Sequence, residues 1–168
     1  MVNKPHLLVR QLRFSRHELM RCIEGITPEE AEKRMGQMNS ISWIVGHLGG
    51  QEHGLWVTSQ GRSVAPELAA CGYGKPPSTP PLEKVLVAWR RTTAAADEFL
   101  DTLTPEKMTE YLEGEGWRSA ENIGTLLMRN IMHYWFHLGE AHAIRQIMGH
   151  QNLPDFVGNM SACVYEPE

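Results

Sequence analysis

A chain of 168 residues that is 42% hydrophobic, 21% charged and 8% aromatic, with a formal net charge of -4, has the composition of one ordinary globular domain, residues 1–168. At this length about 70% of the unfolded chain's surface can be hidden, so neither a disulfide nor a structural metal is needed to hold the core, and a metal found here serves chemistry. Sixteen Lys and Arg against twenty Asp and Glu, with no basic block, argue against nucleic acid or an anionic membrane as partner.

From about Pro5 to Gly25, Leu8, Leu12, Leu19 and Ile23 fall at helical spacing with Arg10, Arg13, Arg16 and Arg21 largely between them, which predicts an amphipathic helix. Thr27-Pro-Glu-Glu30 supplies an N-cap Thr, Pro at the first helical position and Glu at the third, so a short capped helix follows, ending by Gly36. Ser40 caps a second long helix predicted over Ile41 to about Gln60. Gly46, Gly49, Gly50 and Gly54 sit inside it at a cost of roughly 1 kcal/mol each against Ala, which points to close packing against a neighbour.

From Gly61 to Pro81 the chain is rich in Pro, Gly and Ser and reads as a long crossover loop, either a lid or a spacer. Leu82 to Asp101 predicts a third helix, Thr104-Pro-Glu106 a short turn, and about Ser119 to Met148 a fourth long helix with Gly149 as its C-cap. Residues 151–168 read as an irregular tail. No Asn-Gly or Asp-Gly turn joins two alternating segments, so strands are not expected. The expected architecture is all-α: a helical core over about residues 5–150 made of four long helices, whose long connection between the second and third permits up-down-down-up order.

Cys22, Cys71 and Cys163 are odd in number and lack a Cys-x-x-Cys pair, and read as reduced thiols. Met1-Val-Asn-Lys-Pro-His6 carries no signal-peptide stretch, and no apolar run approaches the roughly 20 residues that span a bilayer. The expectation is a cytoplasmic protein.

Eight histidines are the chemical signal. His133 and His137 are four apart in the fourth helix, differ by about 40° around it, and lie among Ile131, Tyr134 and Leu138 near its apolar stripe. That spacing suits two ligands of one metal; the plainer alternative is a pair of core histidines hydrogen-bonded to their surroundings. His142 falls about 140° beyond His137 and His150 past the C-cap, so neither joins them. His47, in Ser42-Trp-Ile-Val-Gly-His-Leu48, is the preferred third ligand, and His53, about 120° away beside Glu52 and Gly54, is its competitor. Glu140 shares the His133 face, where it can orient a ligand, act on a water, or simply be a partly exposed carboxylate.

The segment Trp43-Ile-Val-Gly-His-Leu-Gly-Gly-Gln-Glu-His-Gly-Leu-Trp56, with His133-Tyr-Trp-Phe-His-Leu-Gly-Glu140 far downstream, resembles the DinB/YfiT-like superfamily of metal-dependent enzymes. Leu12-Arg-Phe-Ser-Arg-His-Glu-Leu19 and Thr27-Pro-Glu-Glu30 fit the same pattern, and the resemblance spans about residues 5–150. It implies a dimer-forming four-helix bundle of DinB type, with the family's metal ligands falling on His47, His133 and His137. Many members carry Gln where this chain has Glu140, a departure that bears on substrate rather than on metal. Related enzymes include mycothiol-dependent maleylpyruvate isomerase and bacillithiol transferases, so the resemblance further implies zinc or nickel and a low-molecular-weight thiol.

Three neutral imidazoles leave a divalent ion an open position, the signature of a catalytic site. The expected function is a metal-dependent enzyme acting on a small molecule, by thiol-dependent transfer or isomerisation or by hydrolysis. The alternative is a non-catalytic dimeric bundle that binds a small ligand and merely buries its histidines. Arg129 and Arg145 are expected in solvated salt bridges, and Trp43, one turn before His47, either lines a pocket or packs in the core.

Overall fold

A computed structural model of the chain describes residues 4–166. Residues 1–3, which open the segment read as free of a signal, and residues 167–168, which end the predicted tail, lie outside the described residues. The chain is mostly helical, with one small two-stranded sheet. Among the described residues no helix is long and apolar enough to cross a membrane.

α1 spans Leu7–Ile23 and stops at Gly25, whose φ of 74° is left-handed. α2, Pro28–Glu32, has the capping box its sequence announces: Thr27 Oγ1 accepts the Glu30 amide at 3.3 Å and Glu30 accepts the Thr27 amide at 2.9 Å. α3 spans Ile41–Glu52, with Ser40 Oγ accepting the Trp43 amide at 3.1 Å. The helix predicted to run unbroken to Gln60 changes pitch instead, to a π-turn over His53–Val57 and a 3-10 turn over Thr58–Gln60. The wide turn carries Trp56, wholly buried, to Asn130.

The predicted crossover contains a 3-10 helix, Pro66–Cys71, in a stretch expected to be free of helix. Pro66 occupies its first turn, where a missing amide proton costs nothing, and Leu68 and Cys71 are buried against α3. This segment is the neighbour that the glycines of α3 accommodate. A Cβ at Gly46 would lie 2.6 Å from the Cys71 sulfur, and one at Gly50 3.1 Å from the Leu68 carbonyl oxygen.

α4 spans Leu82–Leu100, and Thr104 caps the short α5, Pro105–Met108. The chain then forms a hairpin where no strand was expected: β1, Tyr111–Gly114, antiparallel to β2, Trp117–Asn122, with Glu113 opposite Arg118 and Gly114 opposite Trp117. Glu115-Gly116 makes the turn, with Gly116 at φ 75°, and the strands are too exposed to carry apolar alternation. Residues 119–122, predicted to begin the fourth long helix, belong to β2. α6 begins at Ile123, where Asn122 Oδ1 accepts the Thr125 amide at 2.9 Å, and runs to Ile147.

α1 packs on α6, α3 on α4, and α3 on α6. One buried polar network ties all four. Arg16 of α1 grips Glu52 of α3 through both Nε, at 2.9 Å, and Nη2, and reaches Asp97 of α4 at 2.7 Å. Tyr134 of α6 donates its hydroxyl to the same Glu52 at 2.5 Å and accepts from Trp89 Nε1 of α4 at 2.8 Å. A network this fully satisfied fixes register. Because Glu52 follows Gln51 and Tyr134 follows His133, it sets those two neighbours opposite each other across the α3–α6 contact.

Candidate metal centre

His47 projects from the middle of α3 toward His133 and His137, one turn apart on α6, and the three offer ligand atoms all within 4.8 Å of one another. Ring centroids are 4.6 Å apart for His133 and His137, and 4.9 and 5.0 Å from His47 to each. The Nε2 atoms of His47 and His133 approach to 3.1 Å.

Each ring's other nitrogen fixes its tautomer. His47 Nδ1 lies 2.7 Å from the carbonyl oxygen of Cys71, which only accepts, so Nδ1 carries the proton. His137 Nδ1 lies 2.8 Å from Glu140 Oε2, and this hydrogen bond is the main reason the Glu140 carboxyl titrates below its ordinary value. Asn39 Nδ2 donates to the other Glu140 oxygen at 3.2 Å. His133 Nδ1 lies 2.6 Å from Gln51 Oε1.

The orientation of that amide follows from Trp56. Its indole nitrogen can only donate and does so to Asn130 Oδ1 at 2.8 Å. The Asn130 amino group therefore faces Gln51 and donates to Oε1 at 2.8 Å, so the atom facing His133 is an oxygen and His133 Nδ1 is protonated.

With Nδ1 of each ring held by its partner, the three rings turn their remaining nitrogens toward one another, and in their neutral forms these are bare lone pairs. Two lone pairs 3.1 Å apart repel, and a proton shared between them would make one ring an imidazolium. The surroundings oppose that charge. Burial, and then the neighbouring His137 and His47 rings, hold His133 down to about 4. Burial also lowers His47, against the raising effect of its Cys71 hydrogen bond. A divalent cation satisfies all three at once. Tetrahedral coordination with metal–nitrogen bonds of about 2.0–2.1 Å separates two ligand nitrogens by about 3.3–3.4 Å, close to the 3.1 Å between His47 and His133. The donor set fits a metal.

Trp43 stacks on His47, centroids 4.5 Å and planes 13° apart, and Phe136 meets His137 edge-on at 5.0 Å. Two cavities open beside the histidines and share Gln51 and His133. One of about 410 Å³ is bounded by His47, Gly50 and Tyr73, and one of about 500 Å³ by Met128, Met132 and Phe136.

His53, the competing third ligand, is not among them. Its Nε2 accepts the Val64 and Ala65 amides at 3.1 and 3.2 Å, so it clasps the start of the 61–81 connection to the end of α3. Glu52 is likewise committed, to Arg16 and Tyr134. Arg129 pairs with Glu121 in an exposed salt bridge, as expected. Arg145, expected in solvent, is buried: it donates to the carbonyls of Cys22 at 2.5 Å and Glu24 at 3.0 Å. All three cysteines are free thiols and buried, and burial pushes Cys22 up to about 11, the opposite of activation. The 61–81 connection is more than a spacer, since it supplies the Cys71 carbonyl. Gln51 and Asn130 were not foreseen; their signal was positional, Gln51 four residues after His47 and Asn130 three before His133.

The DinB superfamily model matches residues 11–141, a stretch that includes all three histidines, and the chain belongs to the DinB superfamily. No curated protein matches the chain.

Proposed function

We propose that the chain is a metal-dependent enzyme in which His47, His133 and His137 hold one divalent ion, zinc or nickel, for chemistry on a small molecule. The observation that carries this reading is the convergence of His47, His133 and His137, whose ligand atoms lie within 4.8 Å of one another while a hydrogen-bond partner holds the Nδ1 of each. The same reading takes the helices as a single-domain DinB-type four-helix bundle, ordered up-down-down-up, with the 61–81 connection as its crossover. It also places the protein in the cytoplasm, in keeping with three free cysteines.

Such an ion supplies a Lewis acid that polarises an oxygen or sulfur ligand and makes its proton acidic. The chain's own residues do the rest. The Cys71 carbonyl, Gln51 and Glu140 lock the three rings, so that little reorganisation accompanies binding. Among the described residues Glu140 is the one carboxylate hydrogen-bonded to this histidine set; once a divalent ion is bound, three neutral rings and one carboxylate leave surplus positive charge, which favours an anionic ligand such as a thiolate. Met132 and Phe136 give one approach an apolar wall, suited to a substrate with an apolar part. Thiol-dependent transfer or isomerisation takes precedence over hydrolysis because of the family resemblance.

The test is turnover by the metal-loaded protein with a panel of low-molecular-weight thiols and small electrophiles. Activity that disappears on chelation, returns on reloading and is absent from His47→Ala supports the reading; activity that survives metal removal overturns it.

A further inference from the structure

Tyr73 has the most exposed large apolar side chain among the described residues, at 98%, and it borders the cavity of about 410 Å³ that His47 and His133 also line. The backbone sets its place. The Lys75 amide donates to the Gly72 carbonyl at 3.1 Å, closing a four-residue turn with Tyr73 second and Gly74, at φ 74°, third. A left-handed third residue is what a type II turn requires, and glycine supplies it without strain. Just before the turn stands Cys71, whose carbonyl accepts the His47 Nδ1 proton at 2.7 Å. One short backbone segment therefore orients a candidate metal ligand and holds an aromatic ring beside it.

Beyond the two histidines and Gln51, the cavity's other walls are Gly50, Leu68, Ala69 and Gly72, none of them charged. Two of these walls are bare backbone for a packing reason. A Cβ at Gly50 would lie 3.1 Å from the Leu68 carbonyl oxygen, and one at Gly72 3.1 Å from that of Ala69, so neither position can gain a side chain that fills the space. Such walls select a ligand by shape and apolar contact. The one aromatic surface they leave for a ligand, outside the histidines themselves, is the open ring of Tyr73. An aromatic face takes either another planar group, offset or edge-on, or a cation. Beside a divalent ion a cation is repelled, which leaves the planar group.

We propose that Tyr73 is a recognition residue of the site, taking against its ring an aromatic or other planar, unsaturated group of the molecule that binds the metal. The inference rests on the metal-enzyme reading and deepens it by assigning the substrate class and the approach. The substrate carries a metal-binding oxygen or sulfur at one end and a planar apolar group a few atoms away. It enters between α3 and the 61–81 connection, and the Met132–Phe136 approach stays open for a second reactant. The ring makes the contact while the hydroxyl remains in water, so phenylalanine serves at this position and alanine does not.

Calorimetric titration of the zinc-loaded full chain with acetohydroxamate and benzohydroxamate tests this without a known substrate, since both bind a metal through the same two oxygens and differ only in methyl against phenyl. The expected result is a native preference for benzohydroxamate that falls by about 3–10-fold in Tyr73→Ala and is kept in Tyr73→Phe, with acetohydroxamate affinity and metal content the same in all three. A native chain without preference, or a preference unchanged in Tyr73→Ala, overturns the proposal; if Phe136→Ala abolishes it instead, the planar group belongs to the other approach. An equal loss for both hydroxamates in Tyr73→Ala also overturns it, because the residue then acts on the metal end of the ligand. A chain that takes up no zinc, or that takes it up and binds neither hydroxamate, contradicts the open metal site itself, and this inference falls with it.

Discussion

Gln51 Oε1 stands 2.6 Å from His133 Nδ1 and 2.8 Å from Asn130 Nδ2, so one side-chain oxygen receives both protons and leaves His133 Nε2 bare. Removing that acceptor while keeping the helix should weaken the metal site without unfolding it. Gln51→Leu is expected to lose about 10–100-fold in metal affinity, whereas Gln51→Glu, which still accepts both protons, retains binding. Competition against a chromogenic chelator measures it, and equal affinities for Gln51→Leu and the native chain would contradict the role.

Metal-free protein should be acid-sensitive in a defined window. Folding holds His133 down to about 4 from an ordinary 6.5, and His47 moves the same way. As pH falls through 6.5 the unfolded chain takes up protons that the folded chain refuses. The stability these neutral rings contribute is therefore full above about 6.5 and is lost progressively toward about 4. Urea denaturation of chelator-treated protein should show a shallower decline across that window for His133→Leu than for the native chain.

The Arg16–Glu52–Tyr134 network should dominate the core's polar energetics. Glu52→Ala leaves the buried Arg16 guanidinium with only the half-buried Asp97 as its counter-charge and should cost up to about 3–5 kcal/mol. Tyr134→Phe removes one charged hydrogen bond and the acceptor for Trp89, for about 1–3 kcal/mol, while the folded variant keeps its metal. Guanidinium denaturation gives the first quantity and metal content the second.

His53→Ala should leave metal content unchanged and release the amides of Val64 and Ala65, which both donate to its Nε2. Hydrogen exchange at those two amides should accelerate, while exchange in the middle of α6 stays as it is. Metal loss in this variant would return His53 to the ligand set.

The shared helical face of His133 and His137 was legible in the sequence because apolar neighbours fix the orientation of both. His47 was legible as a candidate because its own neighbours are apolar too, and all three meet in space. Gln51 and Asn130 were not, since an amide in a helix has no chemistry of its own and acquires a role only from what lies across the contact. The hairpin escaped because Glu115-Gly116 is not one of the usual hairpin turns and its strands bury little. Arg16 and Arg145 read as surface charges because the sequence does not show the carboxylate and carbonyls that receive them.

The most direct measurement is the metal content of tag-free purified protein beside His47→Ala, His133→Ala and His137→Ala, with helicity recorded for each. The account predicts about one zinc or nickel per native chain and loss of that metal in all three variants at unchanged fold. No metal in the native chain after supplementation with zinc, nickel, manganese and iron, or full metal in any folded variant, would contradict it.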